Sequence, residues 1–169
     1  IEGGEVSGTI DEMFRHAISK LSHIHFVSNT KARERLLKMG EIKRNIHIIG
    51  SPDLDVMISE LPKINNVKKR YDINFDSYGI LLFHPVTTEL VNLRDETSEI
   101  CKAILQSKKD FIVIFPNNDP GSEIIIGSYK TFFDGIEKIK VLTSMRFEYF
   151  LSLLKHSEFI LGNSSCGVR

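Results

Sequence analysis

Residues 158–169 read Glu-Phe-Ile-Leu-Gly-Asn-Ser-Ser-Cys-Gly-Val-Arg, a short apolar run that ends in a glycine-punctuated polar loop. Phe159 to Leu161 predict a buried strand, and the small residues that follow suit a turn into a helix. The start of a helix carries free backbone N–H groups and a partial positive charge, a combination that binds phosphate. We therefore expect phosphate-binding chemistry at the end of this strand.

A second junction of the same kind lies at residues 80–89, where an apolar run ends in His84-Pro85. A histidine at the end of a strand can donate to a phosphate or act in proton transfer. The alternative is a core histidine bonded to a backbone carbonyl. We favour the functional interpretation, because two strand ends with this chemistry predict a cleft for a nucleotide diphosphate.

Helix and strand signals alternate along the chain, which predicts parallel sheets with helices on both faces, an α/β fold. The polar segment from Lys63 to Ser77 is interpreted as a short helix and linker, so a domain boundary is expected near residue 60. Ligands of such sheets bind outside the carboxyl ends of the strands. The predicted strands are 25–27, 46–49, 79–83, 111–115, 138–142 and 158–161, and the predicted helices are 10–21, 30–39, 52 to about 60, 88–106, 120–133 and 146–156.

The composition narrows the class of protein. The 169 residues are 41% hydrophobic and 26% charged, as in ordinary globular proteins, and the net charge of +0 argues against a nucleic-acid partner. No apolar stretch reaches the ~20 residues that span a membrane. Cys101 and Cys166 form no disulfide framework, which favours a reduced, cytoplasmic protein, and no residues show metal-ligand spacing. The chain begins at Ile1 rather than Met, so we expect a piece of a longer protein.

Carboxylates are concentrated in the first dozen residues. The four are Glu2, Glu5, Asp11 and Glu12, of which Glu5 could be a plain surface residue, and the Gly3-Gly4 pair lets the backbone pass close to a ligand. Carboxylates in one cleft can divide into acid and base when their surroundings separate their pKa values. The competing explanation is helix capping or a plain surface, and it is slightly favoured for the cluster as a whole.

Three further residues could line a nucleotide cleft. Asn117 follows a predicted strand and could bond a sugar or a phosphate, although its spacing slightly favours a turn role. Met145 and Phe150 could pack against a base, although at helical spacing Phe150 is more typical of a core. None of the loops matches a Walker A or GxGxxG motif. The hypothesis depends on several loops converging at one sheet edge.

Four blocks of the sequence, residues 1–18, 84–89, 115–117 and 162–169, resemble the hydrolysing UDP-N-acetylglucosamine 2-epimerases of sialic-acid biosynthesis. The resemblance runs in order over the whole chain. It implies a two-domain, glycosyltransferase-B-like architecture with the active site between the domains. Residues 1–60 would be the end of the first Rossmann-like domain, and residues 61–169 most of the second, UDP-binding one. His84-Pro85-Val86 replaces the Gly-His-Arg-Arg-Glu block of the non-hydrolysing members.

The resemblance also implies a reaction. A base removes the proton at sugar C2, UDP leaves from C1, and water adds to the resulting glucal to release N-acetylmannosamine. No cofactor or metal is implied, and a homo-dimer or tetramer is expected. Two carboxylates of the family would lie outside residues 1–169, so this segment alone is expected to be inactive. The implied roles are acid/base catalysis for Glu2 and Asp11, assistance to diphosphate departure for His84, and UDP binding for His84, Asn117, Met145, Phe150, Ser164 and Ser165.

Three alternatives remain open at this stage. The same chemistry could act on a UDP-2,4-diacetamido sugar of the legionaminic-acid pathway. A UDP-sugar glycosyltransferase of the same fold would need an acceptor. A non-catalytic nucleotide-sugar sensor would bind without turnover.

Overall fold

The computed structural model describes residues 1–6, 10–164 and 166. The chain forms two compact units, Ile1–Ser59 and Glu60–Arg169. Within the described residues, no helix is long and apolar enough to cross a membrane.

The first unit is built around two short parallel strands. His25 pairs with Ile46, and a small core of Val27, Ala32, Leu36 and Ile46 lies beneath them. The second helix begins where the Asn29 side chain accepts a hydrogen bond from the Ala32 N–H (2.9 Å), an N-cap that satisfies a free helix donor. The elements are α1 (Ile10–Leu21), β1 (His25–Val27), α2 (Thr30–Lys38), a 3-10 turn (Lys43–Asn45), β2 (Ile46–Ile48) and α3 (Pro52–Ile58).

The second unit is a four-stranded parallel sheet in the order β5-β4-β3-β6. Strand β3 therefore lies between β4 and β6. The elements are α4 (Ile64–Tyr71), β3 (Gly79–Leu82), α5 (Leu93–Ser107), β4 (Phe111–Ile114), α6 (Ser122–Phe133), β5 (Ile139–Leu142), α7 (Phe147–Lys155) and β6 (Phe159–Gly162).

Helices cover both faces of this sheet. The adjacent residues Ile80 and Leu81 point to opposite sides, as successive strand residues must, and belong to different core clusters. The Leu81 cluster includes Cys101 of α5 and Tyr129 of α6, whereas the Ile80 cluster includes residues of α4 and α7. Burial on both faces explains the uninterrupted apolar runs of β3 and β4. The prediction of an α/β fold with parallel strands and covered faces is confirmed.

The predicted start of the helix after β3 is wrong by five residues, whereas the other predicted boundaries differ by at most two residues. The helix after β3 begins at Leu93 rather than Thr88, and the preceding residues form a turn in which the Glu89 N–H donates to the Val86 carbonyl (2.8 Å). Leu93 is fully buried, and the first turn of α5 carries Asp95, which suits the positive end of the helix dipole. A loop of ten residues, 83–92, therefore separates β3 from the start of α5, and the prediction of a helix start directly after His84 does not hold.

The helix start predicted after β6 falls mainly on Ser165 and residues 167–169, which lie outside the described residues. Strand β6 itself extends through Gly162.

Candidate functional site

A cleft of about 570 Å³ lies at the carboxyl ends of the four strands in the second unit. This is the edge at which parallel sheets bind their ligands. Five of the residues expected to bind UDP line it: His84, Asn117, Met145, Phe150 and Ser164. The full lining is Leu82, His84, Ile114, Phe115, Pro116, Asn117, Asn118, Thr143, Ser144, Met145, Phe147, Phe150, Ser164 and Cys166. The sixth expected residue, Ser165, lies outside the described residues.

His84 lies two residues after β3, and residues that follow the neighbouring strands β6 and β4 contact it. On the β6 side, the Asn163 amide contacts the His84 backbone twice. Its Oδ1 accepts from the His84 N–H (2.9 Å), and its Nδ2 donates to the His84 carbonyl (2.8 Å). On the β4 side, the backbone N–H of Asn117 donates to the ring Nδ1 of His84 (3.3 Å).

The bond from Asn117 defines the protonation state of the ring. A nitrogen that accepts a hydrogen bond carries no proton, so a neutral His84 ring holds its proton on Nε2. Burial lowers the pKa of His84, and the negative charge of Asp119 only partly opposes this effect. The ring is therefore neutral near pH 7 and has an Nε2–H available as a donor. The core-histidine alternative, a ring bonded to a backbone carbonyl, is not what is observed.

Gly162 allows β6 to approach β3 closely just before this contact. Its φ is +139°, and a Cβ at this position would collide with the Leu82 carbonyl oxygen and lie 2.6 Å from the carbonyl carbon. Such a backbone conformation is open almost only to glycine. Gly162 therefore ends the strand and directs the next side chain, that of Asn163, toward His84.

The remaining described cleft residues combine polar and apolar character. Ser164 is half-buried; its hydroxyl contacts the Cys166 sulfur (3.1 Å) and accepts weakly from the Cys166 N–H (3.4 Å). Phe150 is 9% exposed and belongs to the Ile80 core cluster, against which Met145 also packs. Phe150 is therefore both a core residue and part of the cleft wall.

The two carboxylates expected to act as acid and base lie in the first unit. Glu2 is exposed and follows Ile1, whose carbonyl accepts from the Phe26 N–H of β1 (2.9 Å). Asp11 is exposed in the first turn of α1. Their catalytic roles remain predictions.

The segment that carries Glu2 is firmly held. The Gly4 carbonyl accepts from Arg35 (2.9 Å), and the φ of Gly4 is +76° with the Ala32 backbone where a Cβ would be. Glu5 is half-buried and accepts from the Ser28 hydroxyl (2.8 Å), so it is not the plain surface residue that the sequence suggested.

In the part of the chain that the structure describes, no group of three His, Cys, Asp or Glu side chains could hold a metal ion.

Sequence reasoning assigned no role to Asn163. The available signal was an asparagine directly after a glycine at a strand end, a position where a side-chain amide can replace the backbone in pairing. Thr143 and Ser144, which directly follow β5, also line the cleft.

Comparison with known proteins gives consistent results. The chain is 51% identical over 170 residues to a UDP-N-acetylglucosamine 2-epimerase of Neisseria meningitidis serogroup B, covering 100% of this chain and 45% of that protein. It is 34% identical to the UDP-N,N'-diacetylbacillosamine 2-epimerase (hydrolyzing) of Legionella pneumophila, covering 99% of this chain and 45% of that one. The chain thus spans less than half the length of these curated relatives.

Solved structures give the same fold. The Methanocaldococcus jannaschii UDP-GlcNAc 2-epimerase in complex with UDP-GlcNAc and UDP superposes with a TM-score of 0.68 at 22% identity, covering 98% of this chain and 48% of that one. The profile of the UDP-N-acetylglucosamine 2-epimerase family matches residues 1–169. From its first residue to its last, the chain therefore belongs to the UDP-N-acetylglucosamine 2-epimerase family.

Proposed function

We propose that the protein carrying this chain is a cytoplasmic, hydrolysing UDP-N-acetylglucosamine 2-epimerase that supplies N-acetylmannosamine for sialic-acid synthesis. The observation that carries the proposal is the convergence of His84, Asn117, Met145, Phe150 and Ser164 on one cleft. These residues come from four separate segments, and each was expected to contact UDP. The relative at 51% identity, itself named a UDP-N-acetylglucosamine 2-epimerase, supports the same substrate.

In this proposal, residues 61–169 form most of the UDP-binding domain, and residues 1–60 are the end of the first domain. The uracil packs against Met145 and Phe150, and the diphosphate lies by His84 and Ser164. Negative charge builds on the diphosphate as its bond to sugar C1 breaks. The Nε2–H of His84, held in place beforehand, stabilises that charge more in the transition state than in the ground state.

The reaction proceeds in two balanced steps. A carboxylate removes the C2 proton, the C1–O bond breaks with its electron pair leaving on UDP, and a C1–C2 double bond forms. Water then adds across that bond, with hydroxyl to C1 and a proton to C2, and releases N-acetylmannosamine. We assign the acid and base roles to Glu2 and Asp11. No step requires a metal or cofactor.

A second candidate is the same chemistry on a UDP-2,4-diacetamido sugar. The Legionella relative, named for such a substrate, supports it at 34% identity. The higher identity to the Neisseria protein favours N-acetylglucosamine.

The test is to incubate the complete enzyme with each UDP-sugar in D₂O without any acceptor. We expect free N-acetylmannosamine carrying deuterium at C2, together with one equivalent of UDP. A product that stays attached to UDP would indicate a non-hydrolysing enzyme. No turnover without an acceptor would point to a glycosyltransferase. Preference for the diacetamido sugar would select the second candidate, and light scattering would test the expected dimer or tetramer.

The matched variants are His84→Ala and Asn65→Ala, the latter at an exposed position on α4. Removal of one preorganised donor to a developing negative charge typically lowers turnover by about 10²- to 10³-fold, so we expect a fall of that order for His84→Ala alone. Near-normal turnover in this variant would exclude the proposed role of the ring. UDP-sugar binding without any turnover in the wild type would favour the sensor.

A further inference from the structure

The contact between Asn163 and His84 joins residues 79 positions apart and has a specific form. One planar amide group both accepts from and donates to the backbone of the same residue. That is the donor and acceptor pattern by which a neighbouring β-strand would bind. Leu82 still pairs with the backbone of Gly162, but at His84 the partner is the Asn163 side chain.

We propose that Asn163 is a positioning residue that holds the main chain of His84 in the sheet, so that the imidazole keeps its Nε2–H directed to a diphosphate. The contact between Asn163 and His84 is independent of the proposed function, whereas its effect on UDP binding rests on that function. Asn163 is exposed, so its side chain is not required as core packing.

The residue type follows from the geometry. The two contacts of 2.9 and 2.8 Å need an acceptor and a donor on one short, planar group. An aspartate would set a second oxygen against the His84 carbonyl, and an alanine would leave both backbone groups of His84 without this partner.

The two neighbours of β3 complement one another. Asn163 fixes the backbone of His84 from the β6 side, and the Asn117 N–H fixes ring Nδ1 from the β4 side at 3.3 Å. The bond from the Asn117 N–H to ring Nδ1 is long and therefore weak. It can select the Nε2–H tautomer only if the backbone of His84 holds the ring in place. Loss of the Asn163 contacts should therefore release the ring and mix its tautomers.

The first test is a double-mutant cycle on UDP affinity in the complete enzyme, measured by calorimetry. Two hydrogen bonds of ordinary net strength correspond to about a thirtyfold loss, so Asn163→Ala should weaken UDP binding by up to about thirtyfold. In the His84→Ala background the same change should cost less than about twofold, because the residue acts through His84. Equal losses in both backgrounds would overturn the proposal.

The second test does not depend on UDP or turnover. Long-range ¹H–¹⁵N spectra of the histidine rings should show His84 protonated on Nε2 in the wild type and as a tautomer mixture in Asn163→Ala. An unchanged ring would contradict the positioning role. If the wild type binds no UDP, the proposed function fails, and the spectra alone decide the role of Asn163.

Asn65→Ala serves as the control and should leave UDP affinity and the His84 signals unchanged. If Asn163→Ala does not fold, the nearly isosteric Asn163→Asp replaces it in the spectral test. Its charge would itself repel a diphosphate, so its affinity is not used. A wild-type His84 tautomer in Asn163→Asp would count against the proposal, and a mixed tautomer would support it.

Discussion

Replacing Gly162 with alanine should be among the most damaging single changes in the second unit. The new Cβ would overlap the Leu82 carbonyl oxygen and lie 2.6 Å from the carbonyl carbon, whereas real Cβ atoms essentially never come within 3.0 Å of other heavy atoms. The φ of +139° would itself cost alanine about 1–3 kcal/mol. Separation of β6 from β3 would also break the two Asn163 bonds, each worth about 1 kcal/mol. We therefore expect the free energy of unfolding to fall by about 3–5 kcal/mol.

The assay is urea unfolding of the complete protein, followed by circular dichroism. Gly127→Ala in α6 is the matched control, because it makes the same chemical change at a position where an added Cβ meets nothing within 4 Å. Alanine in a helix interior should raise the free energy of unfolding by about 0.5–1 kcal/mol. A Gly162→Ala protein within about 0.5 kcal/mol of wild type, the range of neutral surface changes, would refute the reasoning.

Three further outcomes are expected. Burial lowers the pKa of His84 from its ordinary 6.5, so the unfolded chain takes up the proton at a higher pH than the folded chain, and the free energy of unfolding should fall as the pH drops below 6.5. Urea unfolding at several pH values should show a smaller fall for His84→Gln than for the wild type. Identical pH profiles for the two proteins would contradict the lowered pKa. Mass spectrometry after brief alkylation should find Cys166 modified, and UDP should slow this modification because Cys166 lines the cleft. Cys101 should stay unmodified, because burial raises its pKa to about 12. Early modification of Cys101 would be inconsistent with that burial. Tyr78→Phe should lower the free energy of unfolding by about 1–2 kcal/mol, because the buried hydroxyl donates to the Leu153 carbonyl (2.9 Å); a change below about 0.3 kcal/mol would speak against that contribution.

The fold was predictable from the sequence because its signals are local. The four consecutive buried residues of β4, Phe111–Ile114, read as a strand enclosed on both faces, and the alternation with helices then requires a parallel sheet. The start of α5 was not predictable in the same way. Thr88 and Asn92 are both plausible helix caps, and the choice depends on the burial of Leu93, a tertiary contact.

In the candidate site, too, features set by local sequence could be predicted and features set by tertiary contacts could not. The rule that ligands bind at the carboxyl ends of parallel strands favoured His84 and indicated the segments around Asn117 and Ser164, whose UDP-binding roles came from the family resemblance, and all three residues line one cleft. The contact of Asn163 with His84 could not be read from the sequence. It depends on the pairing of β3 with β6 and on the unusual φ of Gly162, and both require the folded chain.

The substitution of a side-chain amide for a peptide group beside His84 has a consequence for engineering. On the β6 side, the amide of residue 163 holds the main chain of His84, since it accepts from the His84 N–H and donates to the His84 carbonyl. Exchanges at Thr143 and Ser144, which line the cleft beyond β5 at the opposite edge of the sheet, can therefore change the lining without touching that contact. A designer who wants to change what the cleft accepts should vary Thr143 and Ser144 and leave the glycine–asparagine pair intact.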